Sequence, residues 1–180
     1  MFVASVRFSI CPGCVPPVKT AIVQALRDEP LAASLLSLHL AEVGEVNTLV
    51  AFFACEALAS DLGALTRWVD GVRRLPAGAQ LRHVEHQLHH TEASRAQWQA
   101  LRDAASAGVL QQVYDEDACP EHARNSGVLL LHPLTGRHGQ RWVLTPVTTH
   151  DAALALCQAA TLDPRLPLRD SVLWLPALPF

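Results

Sequence analysis

Residues 35–55 read LLSLHLAEVGEVNTLVAFFAC. Two apolar runs, Leu35–Val43 and Val46–Cys55, flank Gly44-Glu45. A glycine in so short a gap between such runs predicts a β-hairpin. What precedes it is a strand and a helix. Phe2, Ala4, Val6, Phe8 and Ile10 alternate with Val3, Ser5, Arg7 and Ser9, the pattern of a half-buried strand. Cys11-Pro12-Gly13-Cys14 breaks that strand, and Val18, Ile22, Val23 and Leu26 then recur at helical spacing between Pro16 and Arg27. Prolines suit the first turn of that helix. After the hairpin, Leu58, Leu62, Leu65, Val69 and Val72 form one stripe between Leu58 and Arg74, which predicts a second helix. Leu81–His90 alternates again. The order β-α-β-β-α-β is the ferredoxin-like arrangement. A thioredoxin-like redox fold built around Cys11 and Cys14 would continue with a parallel strand, and the hairpin argues against it.

The pattern then restarts. Thr91 to Gly108 reads as a linker helix, with Trp98, Leu101 and Ala105 on one side. Val109 to Tyr114 reads as a strand, broken by Cys119-Pro-Glu-His122. Gly127–Leu134 and Arg141–Val147 form a hairpin around Thr135-Gly136-Arg137-His138-Gly139, Ala152–Leu162 a helix, and Ser171–Leu178 a last strand. Cys11-Pro-Gly-Cys14 aligns with Cys119-Pro-Glu-His122, His39 with His132, and Leu81-Arg82 with Leu168-Arg169. The expectation is an α+β chain of two ferredoxin-like repeats, residues 1–90 and 109–180, joined by a linker helix over 91–108. The second repeat lacks most of its first helix. One such sheet leaves a face bare, and two facing each other would cover both. The other reading is an unrelated α+β extension after residue 108.

Composition narrows the function. Of 180 residues, 50% are hydrophobic and 17% charged, with a mean hydropathy of +0.19, which excludes intrinsic disorder. No apolar run approaches the ~18 residues of a membrane span. The N-terminus reads as a strand and not a signal peptide, so a cytoplasmic protein is expected. The net charge of −3 and scattered arginines argue against a nucleic-acid partner. The five cysteines are an odd number, and in the reducing cytosol expected for this chain disulfides are not expected. Gly-x-Ser-x-Gly and glycine-rich phosphate loops are absent from the sequence.

Pro12-Gly13 after the first strand, and Gly44-Glu-Val-Asn47 running into Thr48–Cys55, resemble the NIPSNAP family. That family carries a Pro-Gly after its first strand and a Gly-x-x-Asn hairpin leading into a strand that ends Trp-x-Tyr. The C-terminal Leu175-Pro-Ala-Leu-Pro179-Phe180 is similar to its Pro-x-Pro-Phe ending. The resemblance covers residues 1 to about 90 best. It implies a dimeric α/β barrel, a fold shared with small cofactor-free monooxygenases and with haem-handling relatives. Phe53, Cys55 and Ala51 stand where the family has Trp, Tyr and commonly His. The resemblance therefore implies a fold and no particular reaction.

Two constellations carry chemistry. Cys11, Cys14, Cys119 and His122 have zinc-ligand chemistry, but one CxxC and one CxxH far apart are a weak signal. No metal requirement and no cofactor are expected. The second constellation follows from strand periodicity. Arg7 lies on the polar face of the first strand, Ser37 and His39 on that of the second, and His83, Glu85, Gln87 and His89 on that of the fourth. In a closed pair of sheets, Arg7, His39, His83 and Glu85 are expected to converge on an interior ligand-binding site. Arg7 could hold a carboxylate, and a His-Glu pair could move a proton near neutral pH. The leading expectation is binding of a small, partly apolar molecule between the sheets, with a homo-oligomer compatible. The alternatives are a cofactor-independent monooxygenase or isomerase and a zinc-stabilised structural protein.

Overall fold

The computed structural model describes residues 1–27, 29–43, 47–118, 120–136, 139–163, 165 and 168–177. In order, these form β1 (Phe2–Ile10), α1 (Val15–Arg27), β2 (Leu35–Val43), β3 (Thr48–Cys55), α2 (Leu58–Arg74) and β4 (Leu81–His90). Then follow α3 (Arg95–Ala104), β5 (Gly108–Asp115), β6 (Leu129–Pro133), β7 (Gln140–Val147), α4 (His150–Leu162) and β8 (Leu168–Pro176). Short 3-10 turns begin at Pro30 and Pro76, where proline removes a donor and fixes φ.

The eight strands close into one barrel in the order β1-β3-β2-β8-β5-β7-β6-β4. Around the ring, β4-β1-β3-β2 is followed by β8-β5-β7-β6. The second run repeats the first with each strand number raised by four, so both halves have the ferredoxin-like strand order. β4 and β8 begin at the aligned Leu81-Arg82 and Leu168-Arg169. β8 thus starts before the expected Ser171, and Arg169 there holds Asp115 of β5 at 2.9 Å. Between β5 and β6 stands only a 3-10 turn, Glu121–Arg124, where the first half has α1. Gly44–Val46, Cys119, Arg137, His138 and Leu178 lie outside the described residues.

Turn residues explain the sequence punctuation. Gly13 has φ 77° and Asn47 φ 60°. Both lie in the left-handed region that glycine and asparagine tolerate. That accounts for Pro-Gly after β1 and for Asn at the entry to β3.

Period-two alternation sorts every strand into an outer and an inner face. On the outside of the first half, Val6, Phe8, Leu49 and Phe53 pack on Val18, Ile22, Leu65 and Trp68 of α1 and α2. Trp68 meets Phe8 and Phe53 edge-on at 5.4 and 5.1 Å. Inside, Val3, Phe52, Val109, Leu131, Trp142 and Trp174 form one cluster shared by both halves. The linker helix α3 belongs to that inner cluster through Trp98 and Leu101. It touches β2 as well as β6 and β7, which stand on different sides of the ring. It therefore crosses the mouth of the barrel. A capping box at Ser94 and Gln97 starts it there.

Candidate functional site

Glu85 of β4, Arg7 of β1, Val50 of β3 and His39 of β2 lie in one row across the sheet, each opposite the next. The structure thus puts Arg7 beside Glu85. Arg7 and His39 are separated by one strand, about 10 Å between Cα atoms at ordinary strand spacing. His83 sits opposite Ser9, beyond the row, and is exposed. It does not reach the interior, because β4 runs out toward solvent at that end. His39 is buried for a reason no local pattern contains: β2 is not a sheet edge but pairs with β8, His39 opposite Pro176.

Within the row the side chains part. The Arg7 guanidinium lies over two indoles, 5.6 Å from the Trp142 ring and 5.5 Å from Trp174. Stacked cation–π contacts of this kind contribute about 1–2 kcal/mol when desolvated. Trp174 donates its Nε1–H to Gln111 Oε1 at 3.0 Å. On the opposite flank, Ser5 Oγ and His89 Nε2 are hydrogen-bonded at 2.9 Å, and His89 rests on Trp142 with ring centres 4.5 Å apart. Burial, assisted by the Arg7 charge, lowers the His89 pKa from 6.5 to about 3. Here the indoles fill the space between the sheets.

His39 faces the other way, toward α3. With Ser37, Arg102, Ala105 and Pro176 it lines a cavity of about 160 Å³ under that helix. Ser37 is 1% and His39 4% exposed, and among the described residues neither Ser37 Oγ nor His39 Nδ1 has a hydrogen-bond partner. Buried polar atoms are nearly always paired, so two such atoms on one small cavity are exceptional. Burial first, and the Arg102 charge second, lower the His39 pKa to about 4. The ring is neutral at pH 7 and offers one N–H and one lone pair. Gln99, hydrogen-bonded to both Arg102 and Asp103, braces the rim.

Arg102, Trp142 and Trp174 carry no sequence signal of a site, whereas His89 shares the polar face of β4 with His83 and Glu85. Arg102 neighbours the apolar positions of the linker helix, and only the crossing of the barrel mouth brings it to His39. His39 and His132, aligned in sequence, face opposite ways: His39 points in, whereas on β6 Leu129 and Leu131 take the inner face and turn His132 out. The two Cys-Pro motifs also diverge. Cys14 Sγ donates to Gln80 Oε1 at 3.4 Å, while His122 lies in a groove against Tyr114 and α4. Among the described residues no three His, Cys, Asp or Glu side chains come together as a metal set. The barrel interior does not fit a haem either. It is filled by Phe52, Trp98, Trp142 and Trp174, and His39 faces too small a cavity for that group.

A closed eight-stranded barrel whose two halves share one strand order, with α3 across its mouth, defines the class: an α/β barrel. Among solved structures, a chlorite dismutase from Candidatus Nitrospira defluvii shares it at 9% identity, with 98% of this chain and 91% of that one covered and a TM-score of 0.53. A protein assigned as a monooxygenase from Lactobacillus acidophilus does so at 10% identity, covering 98% and 94%, with a TM-score of 0.51. A NIPSNAP family protein of unknown function from Agrobacterium tumefaciens is similar over 49% of this chain and 85% of its own, at 17% identity and a TM-score of 0.36. No protein-family model matches the sequence, and no curated protein matches it closely enough to count as a relative. Among the described residues no helix is long and apolar enough to cross a membrane.

Proposed function

We propose that this chain binds a small, partly apolar molecule with an acidic or hydrogen-bond-accepting head inside its barrel, in the cavity beneath α3. The observation that carries this reading is the pair of buried, unpartnered side chains, Ser37 and His39, on one cavity with the Arg102 guanidinium. The guanidinium favours a carboxylate, and Leu38, Ala105 and Pro176 give the cavity apolar walls. At about 160 Å³ the space equals about five water volumes. It is smaller than pockets for drug-sized ligands, which points to a short-chain acid. Arg7, stacked between the two indoles, and Glu85 then belong to the wall that separates this cavity from the far mouth of the barrel. The reading stops at binding, because a general base works best with a pKa near the operating pH and the His39 pKa is lowered to about 4.

The NIPSNAP-like character of residues 1–90, the division into two repeats at 1–90 and 109–180, and the linker at 91–108 form part of the same proposal. They are supported by the Gly13 and Asn47 turns and by the repeated strand order.

The test titrates the protein with acetate, propanoate, butanoate and the matching amides, reading thermal unfolding and calorimetric heat. A saturable, chain-length-dependent interaction is expected, about tenfold weaker in Ser37→Ala or His39→Ala. Absence of saturation for every acid and amide, or equal affinity in both variants, would overturn the reading.

A further inference from the structure

The outer face of the second half holds a feature that the interior site does not use. In the first half, α1 and α2 together cover the sheet with apolar side chains. In the second half only α4 and the Glu121–Arg124 turn are available. Between them runs a groove of about 430 Å³, with Tyr114 of β5 on its floor. Tyr114 is 0% exposed, yet among the described residues its phenolic Oη has no hydrogen-bond partner. On the other wall, His122 Nε2 is buried and also has no partner among them. Gln112, on the same outer face of β5 and likewise 0% exposed, gives its amide N–H to Leu156 O at 3.5 Å and leaves Oε1 unpartnered. An outer strand face that had only to pack on a helix would carry apolar residues here, as β1 and β3 do.

The lining sets the chemistry of the guest. Leu156, Ala159 and Ala160 of α4 supply an apolar side. The charged groups on the lining are Glu121 and Asp163, both acidic, Asp163 being already engaged with Arg165 at 3.0 Å. Burial holds the His122 pKa below its ordinary 6.5, so its ring is neutral at pH 7 and can accept a proton donor. The Tyr114 oxygen and the Asn125 amide can accept as well. A carboxylate would meet like charge, while an ammonium group would meet acceptors and a free carboxylate.

We propose that the groove between the Glu121–Arg124 turn and α4 is a second binding site, for a small primary alkylammonium whose head meets Tyr114, His122 and Glu121 and whose tail lies on Leu156 and Ala160. It is independent of the interior site, so either can fail alone.

The chain holds one tyrosine, Tyr114, so ring-labelled tyrosine gives a single NMR signal from inside the groove. The probes are n-hexylammonium, n-hexanol and n-hexanoate at neutral pH. The expected result is a saturable shift with hexylammonium, about tenfold weaker affinity for hexanol and none for hexanoate. His122→Ala is expected to weaken hexylammonium about tenfold with the unfolding midpoint unchanged, and Ser37→Ala to leave it unchanged. No saturable shift by about 10 mM hexylammonium, hexanoate binding as well as the amine, indifference to His122→Ala, or loss in Ser37→Ala would each overturn the proposal.

Discussion

The two halves of the barrel share a strand order and differ in what they bury. Outside, the first half is sealed: α2 drives Trp68 between Phe8 and Phe53, and the indole N–H still finds Ile22 O at 3.4 Å. The second half carries Gln112, Tyr114 and Thr145 on the corresponding face, all buried and each with an unpartnered oxygen. Inside, the contrast reverses. The first half contributes Ser5, Arg7, His39 and His89, and the second half contributes Gln111 and the indoles that stand against Arg7 and His89. The two halves divide the burial: the first supplies most of the outer apolar seal, and the second supplies both indoles over Arg7.

The sharpest way to break this contrast is to remove one large side chain from each outer layer. Trp68→Ala is expected to cost about 3–5 kcal/mol, the range for deleting a fully buried aromatic. Leu156→Ala, at a half-buried position on α4, is expected to cost about 1 kcal/mol. Urea midpoints of both variants decide it. Equal losses would mean that α4 seals its half as firmly as α2 does.

The inner contrast is read by pH. His39 and His89 fold with pKa values lowered to about 4 and about 3, against 6.5 when unfolded. Below about pH 6.5 the unfolded chain takes up protons that the folded chain refuses, so stability present above that pH is lost as the pH falls toward 4 and 3. The loss is about 2 kcal/mol per imidazole by about pH 5. Urea unfolding at about pH 7.5 and about pH 5 is expected to show it. His89→Gln should reduce the loss by about 2 kcal/mol. If the variant shows the full loss, His89 is not the proton-refusing group.

Much of this architecture is legible in the chain itself. Leu58–Arg74 and Leu81–His90 have the limits that their periodicity demands, because an apolar stripe and an alternating run are local patterns. Arg7 turns inward because Phe2, Val6 and Phe8 occupy the other face. Three things are not local. The β2–β8 pairing, which buries His39, depends on the second half closing the ring. Arg102 reaches the same cavity only because the linker helix crosses the mouth. The indoles over Arg7 come from β7 and β8, more than a hundred residues further along the chain. Arg7 and His39 share a row, but a side chain in a filled barrel goes where there is room, Arg7 between the indoles and His39 under the helix.

The smallest effect has the most informative sign. Tyr114 is fully buried and its hydroxyl has no partner among the described residues. Burial first, with Cys157 adding to it, raises its pKa from 10.0 to about 12, so the phenol is neutral throughout the physiological range. A buried hydroxyl that has lost its water without gaining a protein partner costs about 1–3 kcal/mol of desolvation. Removing it keeps the ring, which packs on Val143 and Ala160. Tyr114→Phe is therefore expected to leave stability unchanged or raise it by up to about 1 kcal/mol, measured as the urea midpoint with no ligand present. A hydroxyl kept despite such a cost is accounted for by a guest in the groove and not by the fold. The first half supplies the control. Ser5→Ala removes a hydroxyl of similar burial that is satisfied by His89 at 2.9 Å, and is expected to lower stability by about 1 kcal/mol or more, since it also orphans the imidazole. If Tyr114→Phe destabilised the protein as much as Ser5→Ala, the hydroxyl would have a structural partner. The contrast between a satisfied Ser5 inside and an unsatisfied Tyr114 outside would then fail at the residue that carries it.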